Sequence, residues 1–141
     1  MISVKETNLN SEVLKELNYA FGDVFIFNGF VISEFKSGIN FNWKDHASQI
    51  VEDVTCFLGT DGQDLIYISN RINSYAVVAL DWLSFYKSNY FLKGYYVVSE
   101  RPSNKLNLMV ESLFFKHKIK NFNSLFTAVN WAKKNDTLEV A

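Results

Sequence analysis

Apolar residues near the start of the chain follow a pattern that is typical of β-strands. Residues 12–35 are rich in aromatic and β-branched side chains, and turn-forming Gly-Asp and Asn-Gly pairs interrupt them at Gly22 and Gly29. This pattern predicts two or three antiparallel strands. Further apolar runs are too short for helices and predict buried strands at residues 65–69, 95–99 and 119–122.

Between these runs, apolar residues recur at spacings of three and four, which indicates helices. The first helix is predicted at residues 43–58, with Asn42 as its N-cap and Val54 on its buried stripe, and a short second helix follows Asp81. A third helix is predicted to open at residues 102–104. Its predicted buried face consists of Leu106, Met109, Val110, Leu113 and Phe114.

A fourth helix, capped by Asn123 or Ser124, ends the pattern, and its predicted buried stripe consists of Leu125, Ala128, Val129 and Ala132. Antiparallel strands followed by alternating helices and strands predict an α/β fold with an α+β start, in which about four helices cover a mixed sheet whose later strands are parallel. The 141 residues suit one domain, and 48% apolar residues are enough for its core. We therefore expect a single domain over residues 12–141, preceded by a polar, flexible segment at residues 1–11.

Charge and composition exclude several classes of partner. Fourteen basic and fifteen acidic residues are spread without blocks, so the chain lacks the basic stripe that nucleic acid binding needs. No run approaches the roughly 20 apolar residues that span a bilayer, and no apolar signal core is present, so we expect a cytoplasmic protein without a membrane span. Cys56 is the only cysteine, and its apolar neighbours predict a small core residue.

Polar residues follow two of the predicted strands at the point where each strand ends. The carboxyl ends of parallel strands meet at one edge of a sheet, where open α/β sheets bind ligands. Two arginines there, beside helix N-termini, suit a phosphate or carboxylate group, although Asn and Ser are also ordinary turn residues. We predict a solvent-exposed binding site that consists of Ser69, Asn70, Arg71, Asn73, Ser74 and Arg101.

The chain offers no catalytic or metal-binding motif. His46 and His117 are predicted on helices that need not approach the polar loop, so neither supplies Ser69 or Ser74 with a general base. No set of His, Cys or acidic residues has the spacing of metal ligands. We expect a non-enzymatic protein that carries no cofactor and no metal.

The order of elements resembles the STAS-like fold of bacterial anti-sigma-factor antagonists, and more particularly the small SpoIIAA-like proteins. The strand-loop-helix at residues 65–86 and the closing strand-to-helix segment at residues 122–131 carry the similarity, which covers about residues 12–134. For the antagonists, the resemblance implies a phosphorylatable serine or threonine after the central strand that switches binding to a partner kinase. Ser69 and Ser74 lie in the corresponding region.

Two functions follow as hypotheses. The first is a regulatory or binding module that acts through protein–protein interaction at the polar sheet edge. The alternative is a small-molecule or lipid carrier that binds an anionic ligand near Arg71. A closed cavity beside Arg71 favours the carrier, whereas a filled core favours the interaction module. The excess of aromatic residues fits either a generous core or an exposed interaction patch, and the second alternative predicts a homodimer.

Overall fold

The computed structural model describes residues 1–101 and 104–140, which form a mixed α/β fold. The strands are β1 (Lys15–Tyr19), β2 (Gly22–Ile26), β3 (Phe30–Phe35), β4 (Asn40–Phe41), β5 (Ile66–Asn70), β6 (Ala76–Val77), β7 (Gly94–Val98) and β8 (Ile119–Phe122). The helices are α1 (Ser48–Leu58), α2 (Trp82–Lys87), α3 (Asn104–Glu111) and α4 (Leu125–Val140). The predicted opening of the third helix at Pro102 and Ser103 lies outside the described residues.

Six strands form the main sheet in the order β1-β2-β3-β5-β7-β8. The first three strands are antiparallel, and β3, β5, β7 and β8 are parallel, which confirms the predicted fold class. Gly29 has a φ of 87° in the tight turn between β2 and β3, a backbone conformation that glycine adopts without a steric penalty. Strands β4 and β6 pair separately.

One face of the sheet packs against α4 and the N-terminal segment. The predicted stripe of α4 is confirmed, since its four residues are at most 3% exposed: Leu125, Ala128, Val129 and Ala132. They contact sheet residues such as Ile32, Ile68 and Val98 in one hydrophobic cluster. No helix within the described ranges is both long and apolar enough to cross a membrane.

The N-terminal segment also belongs to this core, and the prediction that residues 1–11 are a flexible segment outside the domain is therefore corrected. Val4 and Leu9 are buried under the sheet. The Glu34 carboxylate on β3 accepts hydrogen bonds from the Ser3 hydroxyl at 2.6 Å and from the Val4 amide at 2.8 Å. Two apolar anchors and a buried carboxylate thus hold a segment whose sequence is mostly polar.

The opposite face of the sheet packs against α1 and α2. The first helix begins as a π-helical turn, Trp43–Ala47, in which the Asn42 side chain accepts a hydrogen bond from the Asp45 amide at 2.9 Å. Val54 is buried in the core as predicted, but Cys56 is exposed. The prediction of a core cysteine is wrong because only the side of α1 that carries Val54 faces the sheet.

Helix α3 presents the opposite face from the one predicted. Its inward side carries Glu111, which is 1% exposed, while four of the five predicted core residues are at least half exposed and Phe114 is partly buried. Phe115, just beyond the helix, is buried with Tyr95 and Val97. The exposed apolar residues, which we call the α3 face, are Leu106, Met109, Val110 and Leu113.

Candidate functional site

A cavity of about 120 Å³ lies between the main sheet and helices α1 and α2. Aliphatic and aromatic side chains form most of its wall, including Val31 on β3, Val54 on α1 and Phe85 on α2. An engineered apolar cavity of roughly 150 Å³ binds benzene. The space is therefore close to the size of a single-ring organic molecule.

A buried ion pair forms part of the cavity wall. Arg71 directly follows β5 and points to the same face of the sheet as Ser69, because side chains alternate along a strand. Its Nη2 donates to Oε2 of Glu111 at 3.0 Å, and the two side chains are 2% and 1% exposed. Glu111 lies on α3, and its bond to Arg71 explains why the charged residue of that helix faces inward.

Two aromatic side chains complete the environment of the Glu111 carboxylate. The Tyr95 hydroxyl on β7 donates to Oε1 at 2.9 Å, and the Trp82 indole nitrogen on α2 donates to the same oxygen at 3.1 Å. The Tyr95 oxygen also accepts a hydrogen bond from Arg71 Nη2 at 2.7 Å. These bonds satisfy the carboxylate, and a buried charge is tolerated only under that condition.

The charge of Arg71 is stabilised by the same neighbours. Burial acts to lower the pKa of Arg71, but the Tyr95 and Tyr75 hydroxyls and the Glu111 carboxylate outweigh burial and raise that pKa above its ordinary value. The guanidinium group therefore stays protonated in the cavity wall. Its carbon atom also lies 5.6 Å from the centre of the Tyr75 ring, within the range of a cation–π interaction.

Four hydroxyl groups line the cavity beside this ion pair and form two hydrogen-bonded pairs. Ser33 on β3 and Tyr67 on β5 bring their oxygens to 2.7 Å, and Ser69 and Tyr75 bring theirs to 2.8 Å. Arg71 Nε donates to the Ser69 oxygen at 3.2 Å. We call these four residues the hydroxyl cluster.

The structure separates the residues that the sequence placed in one exposed site. Ser69 and Arg71 line the cavity, but both are buried, so the expectation of a solvent-exposed edge is corrected. Asn70 is buried on the opposite face of the sheet, where its Nδ2 donates to Glu34 Oε2 at 2.9 Å. Alternation along β5 thus sends neighbouring polar residues to different faces.

The remaining three predicted residues hold the loop instead of facing the cavity. Arg101 donates to the carbonyl oxygens of Arg71 and Ile72 at 3.0 and 3.1 Å. Asn73 Nδ2 donates to the Phe35 carbonyl at 3.0 Å, and the exposed Ser74 accepts a bond from the Gly38 amide at 2.8 Å. Their contacts are structural, as expected of turn residues.

Sequence reasoning missed several residues of the cavity wall. Ser33, Tyr67 and Tyr95 lie within apolar strand runs, where a single residue with a hydroxyl group resembles an ordinary core residue. Glu111 is the last residue of α3 and lies outside the core face predicted for that helix. No local pattern therefore marked it as buried or pointed to a partner of opposite charge.

Burial raises the pKa of Tyr67, Tyr75 and Tyr95 above the ordinary tyrosine value. A tyrosine with a raised pKa in the folded state adds stability that is fully present below its unfolded pKa of about 10 and is lost as the pH rises further. We therefore expect the free energy of unfolding to fall above about pH 10. Urea unfolding at a series of pH values, with tyrosinate absorbance recorded in parallel, measures this effect.

A control for the pH prediction is the Tyr95→Phe variant, which should show a shallower alkaline decline than the wild type. If all seven tyrosines ionise with an ordinary pKa while the protein remains folded, the buried environment of these three hydroxyls is wrong.

The described residues contain no group of three or more His, Cys, Asp or Glu side chains that could hold a metal ion. His46 accepts a hydrogen bond from the Asn42 amide at 3.1 Å and lies between Phe21 and Phe41, outside the cavity wall. His117 lies 5.9 Å from the Phe115 ring, measured between ring centres. Both histidines thus have local packing roles.

No family model, no curated protein and no solved structure matches this chain. The resemblance to STAS-like proteins therefore stays a prediction, and the proposals below depend on the geometry of the cavity.

Proposed function

We propose that this protein binds a small, largely apolar molecule in the cavity without converting it chemically. The observation that carries the proposal is a cavity of about 120 Å³ beside the buried Arg71–Glu111 pair. Protein cores are packed as densely as organic crystals, and an unfilled cavity costs stability. A bound molecule that fills the space would recover that stability. A cavity beside Arg71 supports the carrier, whereas the interaction module was expected to have a filled core.

The proposed ligand places its apolar body between the sheet and the helices and its polar end at the hydroxyl cluster. Val31, Val54 and Phe85 supply the apolar contacts. Ligand sites commonly combine such a wall with a few polar groups that fix orientation. Absence of turnover is supported by the neighbours of Ser69, which are Arg71 and Tyr75, since neither acts as a general base at neutral pH.

The test uses α-methylstyrene, a single-ring hydrocarbon, as the probe. We expect saturable shifts of the NMR signals of backbone amides in the wild-type protein, centred on α1, α2 and the cavity side of the sheet. Ala47 lines the cavity from the start of α1, so Ala47→Leu should fill part of the space and weaken binding about tenfold or more. Ala76→Leu is the matched control, because it adds the same atoms at an exposed position.

Two outcomes count against the proposed function. One is the absence of saturable binding by the folded wild-type protein. The other is equal affinity in the Ala47→Leu and Ala76→Leu variants, which would place the probe outside the cavity.

A second candidate keeps the protein–protein interaction expected from the sequence but moves it from the sheet edge to the α3 face. Three large apolar side chains of α3 and Leu113, two residues beyond its end, are 50–76% exposed, and contiguous exposed apolar residues commonly mark an interaction site. A second copy of the chain is the simplest partner. Mass measurement in solution tests it: a dimer that Leu113→Glu converts to a monomer supports this candidate, and a wild-type monomer contradicts it.

A further inference from the structure

The hydroxyl cluster has more hydrogen atoms to donate than its own oxygens use. Ser33, Tyr67, Ser69 and Tyr75 carry one O–H hydrogen each, and the two hydrogen-bonded pairs use two of the four. Two hydrogens therefore need an acceptor elsewhere. A further bond between Ser69 and Tyr67, which are close enough to interact, would still leave one hydrogen over, because a chain of four hydroxyls has only three links.

The described neighbours of the cluster do not supply this acceptor. None of the four hydroxyls donates to a backbone carbonyl or to a carboxylate in the described contacts, and the bonds to Glu111 come from Arg71, Trp82 and Tyr95. Ser33 and Ser69 are both 1% exposed. A buried donor without an acceptor costs free energy comparable to a lost hydrogen bond. The cavity therefore favours a ligand that brings an acceptor to these hydroxyls.

The charge of the cavity wall determines what kind of acceptor fits. Among the described residues that line the cavity, Arg71 is the only basic one, and Glu111 neutralises it at 3.0 Å. Asp61 and Asp81 also belong to the cavity lining, so the described lining carries no excess of positive charge. A ligand with its own negative charge would lose its hydration without gaining an unpaired cation. This balance opposes the anionic ligand that the sequence suggested and favours a neutral one.

We propose that the cavity binds a neutral molecule of about single-ring size whose carbonyl-type oxygen accepts a hydrogen bond from the hydroxyl cluster. This inference depends on the proposed function, because it names the class of ligand for the same cavity. The cluster presents hydrogen-bond donors at the end of an apolar wall, and the ion pair beside it holds the donors in place without adding net charge.

The experiment compares three probes of similar size: acetophenone, α-methylstyrene and benzoate. Acetophenone differs from α-methylstyrene by an oxygen in place of a methylene group, so the infrared stretching frequency of its carbonyl reports hydrogen bonding directly. We expect this frequency to be lower in the complex with the wild-type protein than in a hydrocarbon solvent. Benzoate should bind at least about tenfold more weakly than acetophenone.

Variants assign the donor. Four variants each remove one hydroxyl of the cluster, and we expect at least one of them to raise the carbonyl frequency of bound acetophenone: Ser33→Ala, Tyr67→Phe, Ser69→Ala and Tyr75→Phe. Tyr19→Phe is the matched control, because the Tyr19 hydroxyl donates to Asp53 at 2.6 Å outside the cavity. Tyr19→Phe should leave the frequency unchanged.

The outcomes separate this inference from the proposed function. If α-methylstyrene binds but the carbonyl frequency of acetophenone equals its value in hydrocarbon, the ligand class is wrong and the binding function stands. A lowered frequency that none of the four cluster variants changes identifies a donor outside the cluster, such as a water molecule, and also overturns the inference. Tighter binding of benzoate overturns the neutral class. Failure of all three probes to bind refutes the proposed function itself.

Discussion

Arg71→Met is expected to lower the free energy of unfolding by about 3–5 kcal/mol, because it leaves the Glu111 carboxylate buried without its counter-charge. Arg71 is 2% exposed, and its guanidinium group contacts Glu111, Tyr95 and Ser69. Methionine fills much of the same volume, so the loss should report mainly the charge and its hydrogen bonds. Urea-induced unfolding of the purified variant measures the change.

Two further variants define the origin of this loss. Arg101→Met removes an arginine that donates to two backbone carbonyls and has no buried carboxylate partner among the described contacts, so its cost should be clearly smaller. Arg71→Met combined with Glu111→Gln removes both charges and should recover a substantial part of the stability. A stability of Arg71→Met within about 1 kcal/mol of the wild type, as for an exposed arginine, would show that the ion pair is not buried.

Val54→Asp is expected to cost about 3–5 kcal/mol or to prevent folding, because it introduces an ionisable group into an apolar environment. Val54 is 3% exposed and packs against Val24, Val31 and Leu65 in the core under α1. Thermal and urea unfolding give the size of the effect.

The matched control for Val54→Asp is Cys56→Asp. Both positions lie in α1, and valine and cysteine have similar helix propensities, so the intrinsic cost of aspartate in the helix is nearly the same. Cys56 is exposed, and its substitution should change stability by no more than about 0.5 kcal/mol. Equal losses at the two positions would mean that the assignment of the buried face of α1 is wrong.

The order of strands and helices was predictable because it depends on local patterns. Alternating apolar residues and the Asn-Gly pair predicted the antiparallel strands β1 to β3, and the spacing of Leu125, Ala128, Val129 and Ala132 predicted the buried stripe of α4. These features depend only on residues that are close in sequence, because strand and helix periods are properties of the backbone.

The faces of the helices were less predictable. The α3 face was predicted to be buried because its apolar residues share one side of the helix, yet the tertiary structure buries Glu111 instead. The ion pair with Arg71 spans 40 residues of sequence, and no local pattern reports a partner at that distance. Cys56 illustrates the same point, since apolar neighbours in sequence did not place it on the side of α1 that faces the sheet.

For the candidate site, the sequence by itself identified Ser69 and Arg71 as unusual polar residues at the end of a buried strand, and it determined the α/β class and the order of the elements. Only the tertiary structure decided that these two residues are buried, that Glu111, Tyr95 and the hydroxyl cluster surround them, and that a cavity lies beside them. The physical reason is that strand and helix periods are local, whereas burial, ion pairing and unfilled volume depend on which distant elements pack together.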